Sequence, residues 1–183
     1  MSDRVWVGEA AGPLLLLPDS LLTDWSGIDV PEYRVVKASF RWNAEEPRAC
    51  DYDRACDIAQ EVGVIEVGHG HGLVLSGGLQ PTTWLERQWG GLIARWVHAE
   101  NDADMQAALA AIPEPLAWER KADFAVVSSP LVLFNSAEPG EEILMPRLTV
   151  ELSPGLYEVR WANYTPDERT SLALVELRLA PVR

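Results

Sequence analysis

The sequence predicts an α+β fold, with an antiparallel β-sheet and a few covering helices over residues 1–113. An all-β antiparallel sheet or small sandwich is expected over 114–183. Three observations lead there. Only two stretches carry the 3.6-residue apolar spacing of an amphipathic helix, and both lie before Pro113. After Trp118 the helical spacing stops, and short apolar stretches follow at about 122–128, 131–135, 147–152, 156–162 and 171–179, with Gly, Pro, Asn and Asp at the breaks. Hydrophobic residues make up 48% and charged residues 23%, a balance that supplies a core. Five short strands are near the lower limit of independent stability, so the two parts are expected to share one core.

The elements follow in order. Val5-Trp6-Val7 and Leu14 to Leu17, joined through Glu9 to Gly12, have the look of a hairpin. Pro18-Asp19-Ser20 opens a short helical turn that ends near Trp25-Ser26-Gly27. The segment 29–50 has weak periodicity and carries Pro31 and Pro47. It reads as a long loop, with one candidate strand at 33–40. Asp51 is placed to cap a helix from Tyr52 to about Val62, with Tyr52, Ala55, Cys56, Ala59 and Val62 on one face and Gly63 as its stop. Strands are expected at 64–67 and 73–75, joined by the tip Gly68-His69-Gly70-His71-Gly72, and a third at 92–97. Asp102 caps a second helix with Met105, Ala108, Leu109 and Ile112 on one side. Pro154-Gly155 is a turn that sets Tyr157, Val159 and Trp161 on one face. In the last stretch the apolar set moves from Leu172 and Leu174 to Val175, Leu177 and Leu179, which points to a bulge.

Charge narrows the function. The net charge is −13, with 8 Lys/Arg against 17 Asp/Glu up to Pro113 and 7 against 11 beyond it. Phosphate binding needs Lys and Arg, so nucleic acid and anionic membranes are poor partners. A basic partner would be attracted and steered, and the alternative is that the acid maintains solubility. Met1-Ser2-Asp3-Arg4 starts no basic region followed by a long apolar one, so no signal peptide is expected. Leu14 to Leu17 is too short to span a bilayer. Cys50 and Cys56 form no disulfide framework and read as small buried apolar residues in a reducing cytoplasm.

Catalytic signals are sparse. There is no G-x-S-x-G, no P-loop and no His-Glu-x-x-His. His69 and His71 share a side of a strand, but zinc takes three or four ligands, and His98 is distant in sequence. No metal and no cofactor is expected. Asp51, Asp53 and Asp57 with Arg54 resemble an acidic cluster, yet acids in a first helical turn are favoured by the helix dipole whatever the function.

A set of short motifs in fixed order carries a resemblance. It comprises Trp6-Val7, Gly12-Pro13-Leu14-Leu15, Trp25-Ser26-Gly27, Asp51-Tyr52-Asp53-Arg54-Ala55-Cys56, Leu73-Val74-Leu75, Thr82-Thr83-Trp84-Leu85 and Arg95-Trp96. Leu133-Phe134-Asn135-Ser136-Ala137, Pro154-Gly155-Leu156-Tyr157 and Asp167-Glu168-Arg169-Thr170 continue it. In this order they resemble the bacterial immunity protein 21 family along nearly the whole chain. The resemblance implies an immunity protein of a polymorphic toxin system, made beside a toxin encoded by a neighbouring gene to protect the producing cell. The expected chain is then a non-enzymatic, cytoplasmic monomer or weak homo-oligomer. It would bind its toxin stoichiometrically and cover a basic active-site surface. A small-ligand or glycan-binding β-module is the second reading, and a hydrolase on Asp51 and Asp53 or the histidines the third.

The segment between Gly27 and Asp51 is long for that family, and variable loops are where pair specificity is most easily placed. Of the eight tryptophans, Trp42 lies in this polar segment, three residues before Glu45-Glu46. An aromatic rimmed by acid has the form of an interface anchor, and a core or staple role is the alternative. Trp42, Glu45, Glu46, Asp51 and Asp53 are therefore the candidate partner-binding residues.

Overall fold

Strands that are apolar at consecutive positions organise this molecule, because such a strand has to be covered on both faces. The computed structural model describes residues 4–8, 12–28, 50–114 and 116–181. In chain order its strands are β1 (Leu14–Pro18), β2 (Val62–Val67), β3 (Gly70–Leu75), β4 (Thr82–Arg87), β5 (Gly90–His98), β6 (Glu119–Val126), β7 (Leu131–Asn135), β8 (Leu148–Val150), β9 (Gly155–Asp167) and β10 (Thr170–Leu179). A 3-10 helix spans Asp19–Asp24, and two α-helices span Asp51–Cys56 (α1) and Asp102–Ala110 (α2). Two five-stranded sheets result, ordered β2-β3-β1-β7-β8 and β4-β5-β10-β9-β6, with antiparallel neighbours throughout.

The sheets pack face to face. Leu14 and Leu16 of β1, Leu73 and Leu75 of β3, and Leu131 and Leu133 of β7 meet Ile93 of β5, Phe124 of β6, Tyr157 and Val159 of β9, and Val175 and Leu177 of β10. The alternate residues of β1, Leu15 and Leu17, point to the outer side of the first sheet and pack with Leu21, Trp25 and Ala55. Leu172 and Leu174 of β10 likewise pack outward against Met105, Ala108 and Leu109 of α2. The order of layers is helical cover, sheet, sheet, helical cover.

The strands are antiparallel and helices are few. Among the described residues the helices all precede Pro113 and only strands follow it. Yet both sheets draw on both parts: β1 to β3 are joined by β7 and β8, and β4 and β5 by β10, β9 and β6.

Several local expectations give way. Val5 to Val7 is no hairpin partner of β1. Val7 bridges Thr82, and β1 runs between β3 and β7 in the middle of its sheet. Helix α1 stops at Cys56 instead of near Val62, because Val62 pairs with Leu75 and Gly63 with Val74 as strand residues. Asp51 is its first residue rather than its cap; Cys50 holds the cap position. The Gly-rich tip is a tight turn at Gly68-His69, with Gly68 at φ 55, and His71 stands within β3 opposite Glu66. No bulge separates Leu174 from Val175: register runs unbroken from Leu172 to Leu179, and both faces of β10 are buried. The irregularity falls earlier, between Thr170 and Leu172. Cys50 is half-buried and Cys56 exposed, both as free thiols.

Candidate functional site

Three segments converge on the outer face of the first sheet. The first runs from the 3-10 helix to Ile28, the second is α1 with its exit to Glu61, and the third is the loop 136–147 after β7. Trp25 is the pin: it is 1% exposed, and its indole N–H donates to the Ser136 carbonyl at 2.9 Å. The Gly140 amide donates to the Trp25 carbonyl at 2.8 Å, and the Ile28 amide to Ala137 at 3.0 Å. The Tyr52 amide donates to the Gly27 carbonyl at 3.0 Å, which docks α1. Gly27 is required here, since its φ is 60 and a Cβ would stand 2.5 Å from the Ala137 oxygen.

Asp51 and Asp53 both work within this cover. Asp51 Oδ2 accepts from the Ser26 amide at 3.0 Å and from the Ser26 hydroxyl at 2.8 Å, while Oδ1 accepts from Arg54 at 2.8 Å. Arg54 continues to the Glu66 carbonyl of β2, tying helix to sheet. Asp53 accepts from the Cys50 amide at 3.3 Å, the return arm of a capping box. Tyr52 and Cys56 lie one turn apart beside them. The Tyr52 hydroxyl is pushed up to about 12 by burial and by its hydrogen bond to Cys56. Burial and then the charges of Asp53 and Asp57 raise the Cys56 thiol.

The outer surface of this cover is acidic. Residues 19–28, 50–61 and 136–147 carry nine carboxylates and two cations, Arg54 and Arg147. Apolar side chains stand out of this acid. Leu144 is 82% exposed, Ile28 51% and Met145 38%. Glu138 holds Leu144 and Met145 in place by accepting from both their amides, at 2.8 and 2.9 Å. Sequence reasoning missed this loop because 136–147 shows no periodicity; Leu144-Met145 beside Glu141-Glu142 was its only signal. Trp42, Glu45 and Glu46 lie outside the described residues. The residues that bracket their segment, Ile28 and Cys50, both belong to this cover.

A second concavity of about 330 Å³ lies on the outer face of the other sheet, lined by Arg87, Trp89, Trp118, Arg160, Glu176 and Arg178 among others. Three cations and two carboxylates line it. Glu176, 2% exposed, pairs with Arg160 and Arg178, and these guanidiniums lie 5.6 Å from the ring centre of Trp118 and 4.5 Å from that of Trp89. Trp6 and Trp96 pack on this same face, their ring centres 6.0 Å apart.

The histidines are dispersed. His69 is in a turn, His71 within β3 and His98 at the end of β5, and among the described residues no group of three His, Cys, Asp or Glu is placed to hold a metal. Glu61 and Asp167 sit below the usual carboxylate range, held there chiefly by backbone amides. A general acid is tuned in the opposite direction. Among the described residues no helix is long and apolar enough to cross a membrane.

No curated protein and no solved structure matches the chain. A family model described as Immunity protein 21 matches residues 5–170, from the segment that bridges β4 to the first residue of β10. With that span taking in the first sheet, β4, β5, β6 and β9 of the second and the acidic cover, the chain belongs to the immunity protein 21 family.

Proposed function

We propose that this protein neutralises a cognate toxin by stoichiometric binding, with the acidic cover of the first sheet laid over a basic active-site surface. The carrying observation is that the segments of this cover pair the exposed carboxylates Asp19, Asp24, Asp57, Glu141 and Glu142 with exposed Leu144, Ile28 and Met145. Acid steers a basic partner into contact and excludes wrong ones, while apolar anchors that become buried set the lifetime. Trp42, Glu45 and Glu46, which lie outside the described residues, are retained as partner-binding residues on sequence grounds, and Asp53 contributes from α1. Asp51 serves mainly by fixing the face. The toxin is encoded by a neighbouring gene, and the complex forms in the cytoplasm from a monomeric or weakly self-associating protein. It acts by occupancy, without catalysis, nucleic acid or membrane.

Co-expression with the neighbouring toxin domain tests this. Growth should be rescued and the pair should co-elute at equal molar amounts on size exclusion. Separate elution with no rescue would end the reading. The glycan-binding alternative draws on the Trp89–Trp118 concavity. It is the weaker reading, because arginines already cover the ring faces on which a sugar would stack.

A further inference from the structure

Arg95 is a buried cation with no counter-ion among the described residues. It lies on β5, on the side that faces the other sheet, at the end where the space between the sheets opens. The residue is 4% exposed. A guanidinium has five N–H donors. One Nη of Arg95 donates to the Ser76 carbonyl, and Nε is buried with no acceptor among the described residues. No carboxylate among the described residues pairs with it, unlike Arg160 and Arg178 in the concavity on the opposite face. Burying a guanidinium without a counter-charge costs several kcal/mol. That burial depresses Arg95 to about 10, which leaves it charged at neutral pH.

The side chain borders a cleft of about 390 Å³ lined by Gln60, Glu61, Ser76, Gln80, Trp161 and Asn163 among others. Gly77, at φ 98, passes beside the guanidinium; a Cβ there would lie 3.6 Å from Nη1. We propose that this cleft is a carboxylate-binding site, with Arg95 as the cationic floor, the amides of Gln60, Gln80 and Asn163 as further donors, and Trp161, whose ring already holds the Lys121 ammonium at 5.5 Å, as part of the wall.

Electrostatics favour a monoanion over a dianion. The neighbouring cation, Lys121, holds Glu61 at 3.1 Å and Glu119 at 2.7 Å, a group of net charge −1, so with Arg95 the four charges sum to zero. A phosphate dianion would stand beside Glu61 with excess negative charge, whereas one carboxylate matches Arg95 and accepts its fork of donors. Two sources share this chemistry: a free small carboxylate, or an Asp, Glu or C-terminal carboxylate of a docked partner. The site itself does not depend on toxin binding.

Benzoate tests it on the full-length protein, with neutral benzamide and chloride at equal ionic strength as controls. Benzoate should shift the Arg95 Nε–Hε NMR signal saturably and raise the melting midpoint by roughly 5–10 °C at a hundredfold excess over Kd. Benzamide and chloride should do neither. Arg95→Met should abolish the thermal response while remaining folded, because it removes a buried unpaired charge. No shift of the wild-type Arg95 signal, or an equal response to benzamide, overturns the proposal. So does a benzoate response that survives in Arg95→Met. The complex with the toxin domain then separates the sources. Exclusion of benzoate from the complex assigns the carboxylate to the partner, and undiminished benzoate binding assigns it to a free ligand. Loss of toxin binding alone would leave the benzoate result standing.

Discussion

Asp51→Ala removes the acceptor that joins α1 to the Trp25 segment, and its cost can be worked from three bonds. The Ser26 amide and hydroxyl share Oδ2 at 3.0 and 2.8 Å, and Arg54 takes Oδ1 at 2.8 Å. A hydrogen bond to a charged group contributes about 1.5–3 kcal/mol when buried. Here the carboxylate side chain is 19% exposed and Arg54 32%, so the ion pair itself adds under about 1 kcal/mol. The larger loss is the stranded Ser26 amide. Together they give a destabilisation of about 2–3 kcal/mol, or roughly 5–10 °C for a chain of this size. Asp51→Asn keeps one oxygen for both Ser26 donors but turns an amide toward Arg54, so its cost is nearer ~1 kcal/mol. Urea denaturation followed by tryptophan fluorescence measures both variants, with unchanged m-values as the condition for reading stability. Equal losses for Ala and Asn, or a loss below about 0.5 kcal/mol for Ala, would refute the view that Asp51 anchors this face.

Further outcomes follow from the same geometry. Leu144→Ala should speed toxin dissociation by about 2 kcal/mol with an unaltered melt, and Trp42→Ala should do the same; surface plasmon resonance reads both. Charge reversal at Glu45 and Glu46, or at Glu141 and Glu142, should slow association and flatten its salt dependence, with little change in dissociation. Cys56 is exposed, yet its thiol is raised, so less thiolate is present at pH 8. Its alkylation by iodoacetamide should be slower than that of a cysteine peptide and should catch up as pH rises, and equal rates at pH 8 would contradict the assignment. Because a cut at Pro113 severs both sheets, calorimetry should show one cooperative transition, and a folded fragment starting at Leu116 would contradict this.

The sequence announced elements better than their partners. The burial pattern of α2 and the five late strands were legible because their apolar spacing is local. What sequence periodicity does not carry is which strand sits beside which. Leu14 to Leu17 reads equally as half of a hairpin or as a doubly covered central strand, and only pairing with both β3 and β7 decides it. The same ambiguity made a bulge of β10, where consecutive apolar residues in fact serve two cores. Val62 suited a helix face as well as a strand, and its pairing with Leu75 prevails. At the candidate site the acids of α1 were visible, but the role of Asp51 depends on Ser26, 25 residues away. Arg95 looked like one more strand residue, since nothing local signals an uncompensated charge.

The most direct test of neutralisation by occupancy is a titration of toxin activity with this protein at concentrations far above Kd. Stoichiometric capture through the acidic face gives a linear fall to zero activity at one equivalent, independent of incubation time, and a shallow curve for the Leu144→Asp variant with Glu141 and Glu142 reversed. Inactivation by substoichiometric amounts that progresses with time, or an unchanged endpoint for that variant, would contradict it.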